Sequence, residues 1–116
     1  MNPEVSQLDR IAIHRMLSAV EEVRNIASDM PMQTLHILLL VAANPGITIA
    51  ELIRKTGLSQ SSCSRNLALL SKVHRLGKPG LDLAEAREDP RERRRKVVRL
   101  TPKGTEAVAL IADAVR

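Results

Sequence analysis

Two predicted helices joined by a glycine turn constrain the fold of this chain more than any other feature. Thr48, with a glutamate three residues later, forms a capping-box pattern that predicts a helix over residues 49–56. Gly57 supplies the left-handed residue that ends this helix, and Ser59 can cap a following helix that we expect over residues 60 to about 75. A short helix, a glycine turn and a second helix are the pattern of a helix-turn-helix.

The second of these helices has an apolar face and a polar face. A step of 100° per residue gathers an inward set consisting of Cys63, Asn66, Leu67, Leu70 and His74, and an outward set consisting of Ser61, Ser64, Arg65, Ala68 and Lys72. Small hydroxyl side chains allow close approach to a major groove, where Gln60 and Arg65 can reach base edges or phosphates. A solvated helix face would fit the same residues, so the DNA-binding interpretation depends on the preceding helix and turn.

A basic ribbon follows the helix-turn-helix pattern. Residues 87–104 carry eight basic and three acidic side chains, and this net charge of +5 equals that of the whole chain. The order of residues predicts a hairpin with one strand over 81–86, a tip over 89–94 and a return strand over 96–100, in which Val98 and Leu100 face the core. Asp89 and Glu92 are expected to pair with neighbouring arginines, and the remaining cations can meet phosphates or enter a minor groove.

The N-terminal segment predicts a long helix over residues 4–29 with an unusually wide apolar face. One stripe consists of Val5, Leu8, Ala12, Met16, Ala19, Val23 and Ile26, and a second stripe beside it consists of Ile13, Leu17, Val20 and Ala27. Wrapping of this helix by its own chain is one use for such a face. Packing against a second copy is the use we favour, because a single docking face needs less width. Pro31 then begins a scaffold helix that ends near Asn44-Pro45-Gly46.

Composition narrows the function classes. The chain contains no Phe, Tyr or Trp, which favours binding of double-stranded over single-stranded nucleic acid, because single strands are usually held by stacking on aromatic rings. The single Cys63 and three scattered histidines give no zinc pattern, and we expect no metal and no other cofactor. No membrane span or secretory signal is visible, so we expect a cytoplasmic protein. No catalytic motif is visible either, and we expect that the protein is not an enzyme.

Cys63 is expected to be a packed small hydrophobe. A redox-sensing cysteine needs an accessible thiol of low pKa, whereas this residue falls on the apolar face of its helix with no assured basic neighbour. His74 is likewise expected to be structural.

Three segments together resemble the winged helix-turn-helix of the MarR family of multiple antibiotic resistance regulators. They are Leu58 to Leu70, the wing sequence Asp89-Pro-Arg-Glu-Arg-Arg94, and the strand-to-helix junction Val98-Arg-Leu-Thr-Pro-Lys-Gly104. The resemblance covers about residues 30–104. It implies a homodimeric transcriptional regulator that binds pseudo-palindromic DNA, with a recognition helix in the major groove and wing arginines in the minor groove.

Carried over by position, the resemblance places the DNA contacts on two groups of residues. The recognition helix would contribute Gln60, Ser61, Ser62, Ser64 and Arg65, and the wing would contribute Arg91, Arg93 and Arg94. Asp89 would orient an arginine. The resemblance also leaves room for a small-molecule effector, which the sequence does not identify.

The chain departs from the family pattern in two places. Residues 101–116 are shorter than the usual C-terminal dimerisation helices, so the dimer is expected to depend on the N-terminal helix. The connector over residues 73–83 is longer than the usual step into the wing, which can reposition the hairpin.

The sequence therefore predicts a mainly α-helical domain with a small β-hairpin over residues 1–116. Residues 1–29 form a dimerisation helix, 31–104 the winged-helix core and 102–116 a short C-terminal helix that also serves dimerisation. The expected function is that of a sequence-specific double-stranded DNA-binding transcriptional regulator, acting as a repressor. A plasmid or phage replication or partition protein and a winged-helix adaptor for protein contacts are the alternatives, although an adaptor has little need of so basic a wing.

Overall fold

The part of the chain that the computed structural model describes, residues 4–74 and 77–116, folds into five helices and a three-stranded antiparallel sheet. The elements in chain order are α1 (Gln7–Ile26), α2 (Met32–Ala43), β1 (Ile47–Thr48), α3 (Ile49–Thr56), α4 (Gln60–Leu70), β2 (Ala84–Glu88), β3 (Lys96–Leu100) and α5 (Pro102–Val115). The sheet order is β1-β3-β2. The predicted mainly helical winged helix-turn-helix is confirmed.

The helix-turn-helix forms where the caps predict it. Thr48 Oγ1 accepts the Glu51 backbone N–H at 3.1 Å and begins α3, and Gly57 ends that helix in the left-handed region with φ +72°. Ser59 Oγ then accepts the Ser62 N–H at 3.1 Å and begins α4. Each cap satisfies a backbone N–H that has no partner within the helix, so the two helices start at fixed residues.

Helix α4 ends earlier than its sequence predicts. The predicted helix runs to about residue 75, whereas α4 ends at Leu70 and Ser71 is already extended. The N–H groups of Leu81 and Leu83 donate to the Leu69 and Leu70 carbonyl oxygens at 2.9 and 2.8 Å. The connector thus satisfies the last carbonyls of the helix from outside it. Arg75 lies outside the described residues.

The early end of α4 changes the placement of two residues. Lys72 and His74, predicted on opposite faces of the helix, both lie in the connector beyond it. His74 is half-buried, and its Nδ1 atom is buried without a hydrogen-bond partner among the described residues.

The first strand of the wing begins later than predicted. Residues 81–83 belong to the connector, because their N–H groups bond to the end of α4, and Asp82 has a left-handed φ of +57° that interrupts the extended alternation. Strand β2 therefore begins at Ala84, which pairs with Leu100 of β3. The second strand is confirmed over 96–100: Val98 is fully buried, Leu100 packs against the core and Arg99 is exposed.

The core lies where α2, α3 and α4 meet the inner face of the sheet. Its fully buried large side chains are aliphatic and include Ile37, Leu38, Val41, Leu52, Leu70, Leu83 and Val98. At about 25 cal/mol per Å² of buried apolar surface, these side chains supply the main favourable term that holds the helix-turn-helix against the wing.

Helix α5 begins with a close backbone contact. Thr101 Oγ1 accepts the Gly104 N–H at 3.0 Å as the N-cap and donates to the Asp82 carbonyl oxygen at 2.6 Å. A Cβ on Gly104 would lie 1.8 Å from the Leu83 carbonyl oxygen. The Thr-Pro-Lys-Gly junction therefore needs its glycine for close approach, since any side chain would push the helix away from the connector.

Helix α1 is slightly shorter than predicted, and it packs against α5. Val23 is buried and Ile26 half-buried at its C-terminal end, whereas most of its two apolar stripes is exposed. The structure measures 56 × 27 × 23 Å, so it is elongated.

Candidate nucleic-acid interface

The outward face of α4 carries most of the recognition-helix residues proposed from the sequence. Gln60, Ser61, Ser64 and Arg65 are all exposed. The inward set is buried as predicted over the length of the helix: Cys63, Asn66, Leu67 and Leu70. Exposed small and polar side chains over an aliphatic base give a surface that can approach a groove closely.

Ser62 differs from the other four proposed contact residues. It is half-buried, and its Oγ donates to Gln33 Oε1 on α2 at 3.4 Å. Its hydroxyl is thus directed at the scaffold helix, and we keep its contact with DNA as a prediction.

A carboxylate organises the tip of the wing. Asp89 Oδ2 accepts hydrogen bonds from Arg95 Nε at 2.9 Å and Nη2 at 2.6 Å, while Asp89 Oδ1 accepts the Arg91 backbone N–H at 3.0 Å. The Asp89 N–H in turn donates to the Arg95 carbonyl oxygen at 2.8 Å. These bonds close the tip into a loop, so the expectation that Asp89 orients an arginine agrees with the structure, and the arginine is Arg95.

The same contacts lower the pKa of Asp89 below its ordinary value. The backbone hydrogen bond from Arg91 is the largest cause, followed by the side-chain hydrogen bond from Arg95. Both stabilise the ionised carboxylate more than its protonated form. Asp89 therefore stays charged at neutral pH, which keeps the loop closed.

Glu92 does not act as predicted. The sequence suggests an ion pair with an arginine, but among the described residues its carboxylate forms no ion pair. Its backbone contributes instead: the Glu92 N–H donates to the Asp89 carbonyl oxygen at 3.2 Å, and its own carbonyl accepts the Arg95 N–H at 3.0 Å. An exposed carboxylate at a turn gains little from pairing, because solvent screens the attraction.

The three wing arginines proposed from the sequence, Arg91, Arg93 and Arg94, are all exposed on this closed tip. The tip is held by backbone hydrogen bonds and by the Asp89–Arg95 pair, so the three guanidinium groups project from an ordered loop. An ordered loop loses less conformational entropy on binding than a flexible one.

A cleft of about 520 Å³ joins the two predicted contact regions. Gln60 and Ser64 of α4 line one side and Arg94, Arg95 and Lys96 of the wing line the other, with the first residues of α3 between them. The structure thus brings Gln60 and Ser64 together with Arg94. Arg95 is paired with Asp89, so Arg94 and Lys96 are the cationic side chains which, at a cleft beside a helix start, favour an anion such as a backbone phosphate.

Two cationic residues of the cleft, Arg95 and Lys96, are absent from the set of contact residues proposed from the sequence. Strand alternation could have found Lys96, because it lies two residues before Val98 and so shares the inner face of β3. Arg95 comes directly after the wing arginines that the family resemblance proposes. Nothing in the sequence indicates that Asp89 pairs with Arg95 and not with one of those arginines.

A second surface, formed by α1 and α5, is apolar. Exposed side chains on α1 include Leu8, Met16, Leu17 and Val20, and α5 adds Leu110 and Val115. Between α1, α2 and α5 lies an open groove of about 520 Å³ whose lining is almost entirely aliphatic. A contiguous apolar surface of this kind is typical of an interface or a binding groove.

Within the described residues, no three His, Cys, Asp or Glu side chains are grouped so as to hold a metal ion. No helix there is both long enough and apolar enough to cross a membrane.

The helix-turn-helix segment of this chain is similar in sequence to a known protein family. Residues 28–73, which span α2 to the end of α4, match the model of the MarR family. Over these residues the chain is similar to the MarR family. No individual curated protein matches the chain.

Solved structures show the same MarR-type fold over nearly the whole chain. The crystal structure of MarR is 22% identical with a TM-score of 0.63, covering 92% of this chain and 71% of that one. The DNA complex of MepR from S. aureus is 21% identical with a TM-score of 0.69, covering 94% and 82%. The PcaV transcriptional regulator from Streptomyces coelicolor in complex with its natural ligand is 17% identical with a TM-score of 0.62, covering 99% and 78%.

Proposed function

We propose that this protein is a sequence-specific transcriptional regulator that binds double-stranded DNA. The observation that carries the proposal is the cleft that joins the exposed face of α4 to the basic wing. It allows the helix to enter a major groove and the wing an adjacent minor groove, with the DNA backbone between them. The similarity to MepR, whose structure was solved with DNA, supports this assignment.

The residues take different roles in this proposal. Gln60, Ser61, Ser62, Ser64 and Arg65 contact the major groove, and base readout falls mainly to Gln60 and Arg65 because their side chains reach furthest. Arg91, Arg93 and Arg94 contact phosphates or the minor groove, which contributes affinity for most sequences alike. We propose that these contacts repress transcription by occupying an operator.

The DNA-binding form is proposed to be a homodimer on a pseudo-palindromic site. The apolar surface of α1 and α5 supports this, because a single copy leaves large side chains such as Leu8 and Met16 in water, 79% and 65% exposed. Two copies related by a twofold axis would present two α4 helices to half-sites about one turn of DNA apart.

A gel-shift experiment tests DNA binding. A duplex selected by the protein from a random pool should bind more tightly than a shuffled duplex of equal length, and affinity for both should fall steeply as salt rises. Arg65→Ala should cost about 1–3 kcal/mol on the selected duplex and little on the shuffled one, whereas Arg93→Ala should weaken both alike. Absence of duplex binding at low salt would refute the proposal, and would favour the adaptor alternative.

Light scattering tests the dimer. The intact protein should have twice the chain mass of 12.8 kDa, and Leu8→Glu with Met16→Glu should give a monomer. Both side chains are largely exposed, so the double change should leave the fold of a single copy intact. Arg15→Glu, at an exposed polar position on the same helix, is the matched control and should stay dimeric. A monomeric intact protein would refute the proposed interface.

The groove between α1, α2 and α5 is the proposed place for a small-molecule effector. Its lining includes Val20, Leu39 and Ile111 and offers aliphatic contacts, with Arg116 as its one charged residue among those described. Such a groove suits a ligand with an apolar body and an acidic group. Hexanoate should raise the melting temperature of the protein and reduce its DNA affinity, and Leu39→Gln should abolish both effects. If hexanoate and longer homologues change neither quantity, this groove is not an effector site of that kind.

A further inference from the structure

A buried group of polar side chains lies between α2 and α4. Thr34, in the first turn of α2, is fully buried, and its Oγ1 donates to Asn66 Oδ1 on α4 at 2.6 Å. Asn66 Nδ2 donates to the Ser62 carbonyl oxygen at 2.8 Å and to Gln33 Oε1 at 3.4 Å. With the Ser62 hydroxyl bond to Gln33, these four residues form one connected set, which we call the α2–α4 joint.

Each hydrogen bond of the joint between Asn66 and Thr34 or Ser62 has only one possible assignment of donor and acceptor. The Ser62 carbonyl oxygen can only accept, so the Asn66 atom beside it must be the amide nitrogen. The Asn66 oxygen then faces Thr34, whose hydroxyl must donate. Both N–H groups of the Asn66 amide and one lone pair of its oxygen are therefore engaged, and the side chain cannot rotate without leaving a buried polar group unpaired.

Buried apolar side chains lie one helical turn from the joint residues on both helices, so an apolar residue could have filled the same space. Ile37, Leu38, Cys63 and Leu70 are all fully buried, and at the same inward position on α4 another Leu would pack without needing partners. Aliphatic contacts tolerate small rotations and slides of one helix on another, whereas hydrogen bonds weaken steeply with angle. Hydrogen bonds between α2 and α4 within an aliphatic core therefore fix the orientation of one helix on the other more than they stabilise the fold.

We propose that Thr34 and Asn66 are positioning residues that set the angle of the recognition helix on the scaffold helix, and thereby the sequence selectivity of DNA binding. This inference rests on the proposed function. Asn66 follows Arg65 in α4, and Ser62 lies within the proposed contact segment, so a rotation of α4 about its axis displaces every base-reading side chain together. No described wing residue takes part in the hydrogen bonds of the joint, and the Asp89–Arg95 pair holds the wing tip separately, so we expect the contacts that bind all DNA sequences to be preserved.

The test is the double variant Thr34→Val with Asn66→Leu, which replaces the joint by apolar groups of similar volume. Affinity is measured for the duplex selected by the unaltered protein and for a shuffled duplex. We expect the ratio of the two affinities to fall by about tenfold, which corresponds to one lost or misplaced base contact, while affinity for the shuffled duplex changes by less than about twofold. Selection with the variant should also give a more degenerate DNA motif.

The matched control is Val41→Ala, which loses packing in the same scaffold helix without removing a joint bond. It should lower the melting temperature and leave the selectivity ratio unchanged. If Val41→Ala reduces the ratio as much as the joint variant does, or if the joint variant keeps the ratio, the inference is overturned.

If the double variant does not fold, a change at the exposed Gln33, Gln33→Met, removes the acceptor that Ser62 and Asn66 share. It should lower the ratio by about threefold, less than one full base contact, and an unchanged ratio overturns the inference.

The two levels of failure can be told apart. An unaltered protein that binds no duplex DNA refutes the proposed function itself. An unaltered protein that discriminates between the two duplexes, together with a joint variant that discriminates equally well, refutes only the role of Thr34 and Asn66.

Discussion

Replacing Gly104 by alanine is expected to destabilise the protein strongly, although alanine is the better helix former. An ideal Cβ at this position lies 1.8 Å from the Leu83 carbonyl oxygen, whereas carbon and oxygen atoms normally stay about 3.3 Å apart. The start of α5 would have to move by about 1.5 Å to restore that separation. Such a shift strains the Thr101 N–H bond to the Leu83 carbonyl at 3.0 Å and the Thr101 hydroxyl bond to the Asp82 carbonyl at 2.6 Å.

The size of the effect follows from these contacts. Each weakened hydrogen bond is worth about 1 kcal/mol, and forcing a methyl group into a packed site typically costs about 1–3 kcal/mol. The higher helix propensity of alanine offsets about 1 kcal/mol. The free energy of unfolding should therefore fall by about 2–4 kcal/mol, and the melting temperature by about 8–16 °C for a domain of this size.

Chemical denaturation followed by circular dichroism measures this change. Lys103→Ala is the matched control, since Lys103 is exposed in the same helical turn and its loss should alter the free energy of unfolding by less than about 0.5 kcal/mol. If Gly104→Ala is as stable as the control, the close approach of α5 to Leu83 does not constrain this position and the reasoning is wrong.

Two further predictions concern ionisable groups. Because the folded state lowers the pKa of Asp89, its contribution to stability should be complete above about pH 4, the ordinary pKa of an aspartate, and should be lost as the pH falls through the lower folded value. Asp89→Asn should remove that acid-dependent part of the stability. If the unaltered protein and Asp89→Asn lose equal stability as the pH falls below about 4, the assignment is wrong. Burial raises the pKa of the Cys63 thiol, so iodoacetamide at pH 8 should modify it slowly in the native protein and rapidly in denaturant; equal rates would show that the thiol is accessible.

The local signals of the helix-turn-helix were sufficient to predict its position. Thr48, Gly57 and Ser59 act through hydrogen bonds and backbone angles within a few residues, and the structure places all three as the sequence indicates. The inward face of α4 was also predictable, since 3.6 residues per turn fix which residues share a face. The DNA contacts proposed on its outward face remain predictions.

The errors concern hydrogen-bond and ion-pair partners that residue type and local spacing do not select. The sequence of α4 can continue as a helix to residue 75, but the N–H groups of Leu81 and Leu83, twelve and thirteen residues after the carbonyls that they bond, satisfy its last carbonyls and end it at Leu70. Glu92 was expected to form an ion pair because arginines lie close to it in the sequence, whereas in the structure the ion pair of the wing tip joins Asp89 and Arg95. No local rule selects Arg95 from four arginines that lie close together in the sequence.

By itself, the sequence determined the caps, the glycine turn, the wide apolar face of α1 and the excess of positive charge in the wing, because each depends on residue type and spacing. Only the tertiary structure decided where α4 stops, which arginine Asp89 holds, why Gly104 has no side chain, and how Thr34 meets Asn66 across 32 positions. These features arise where several groups compete for the same hydrogen bond or the same space, and that competition is settled only when the chain has folded.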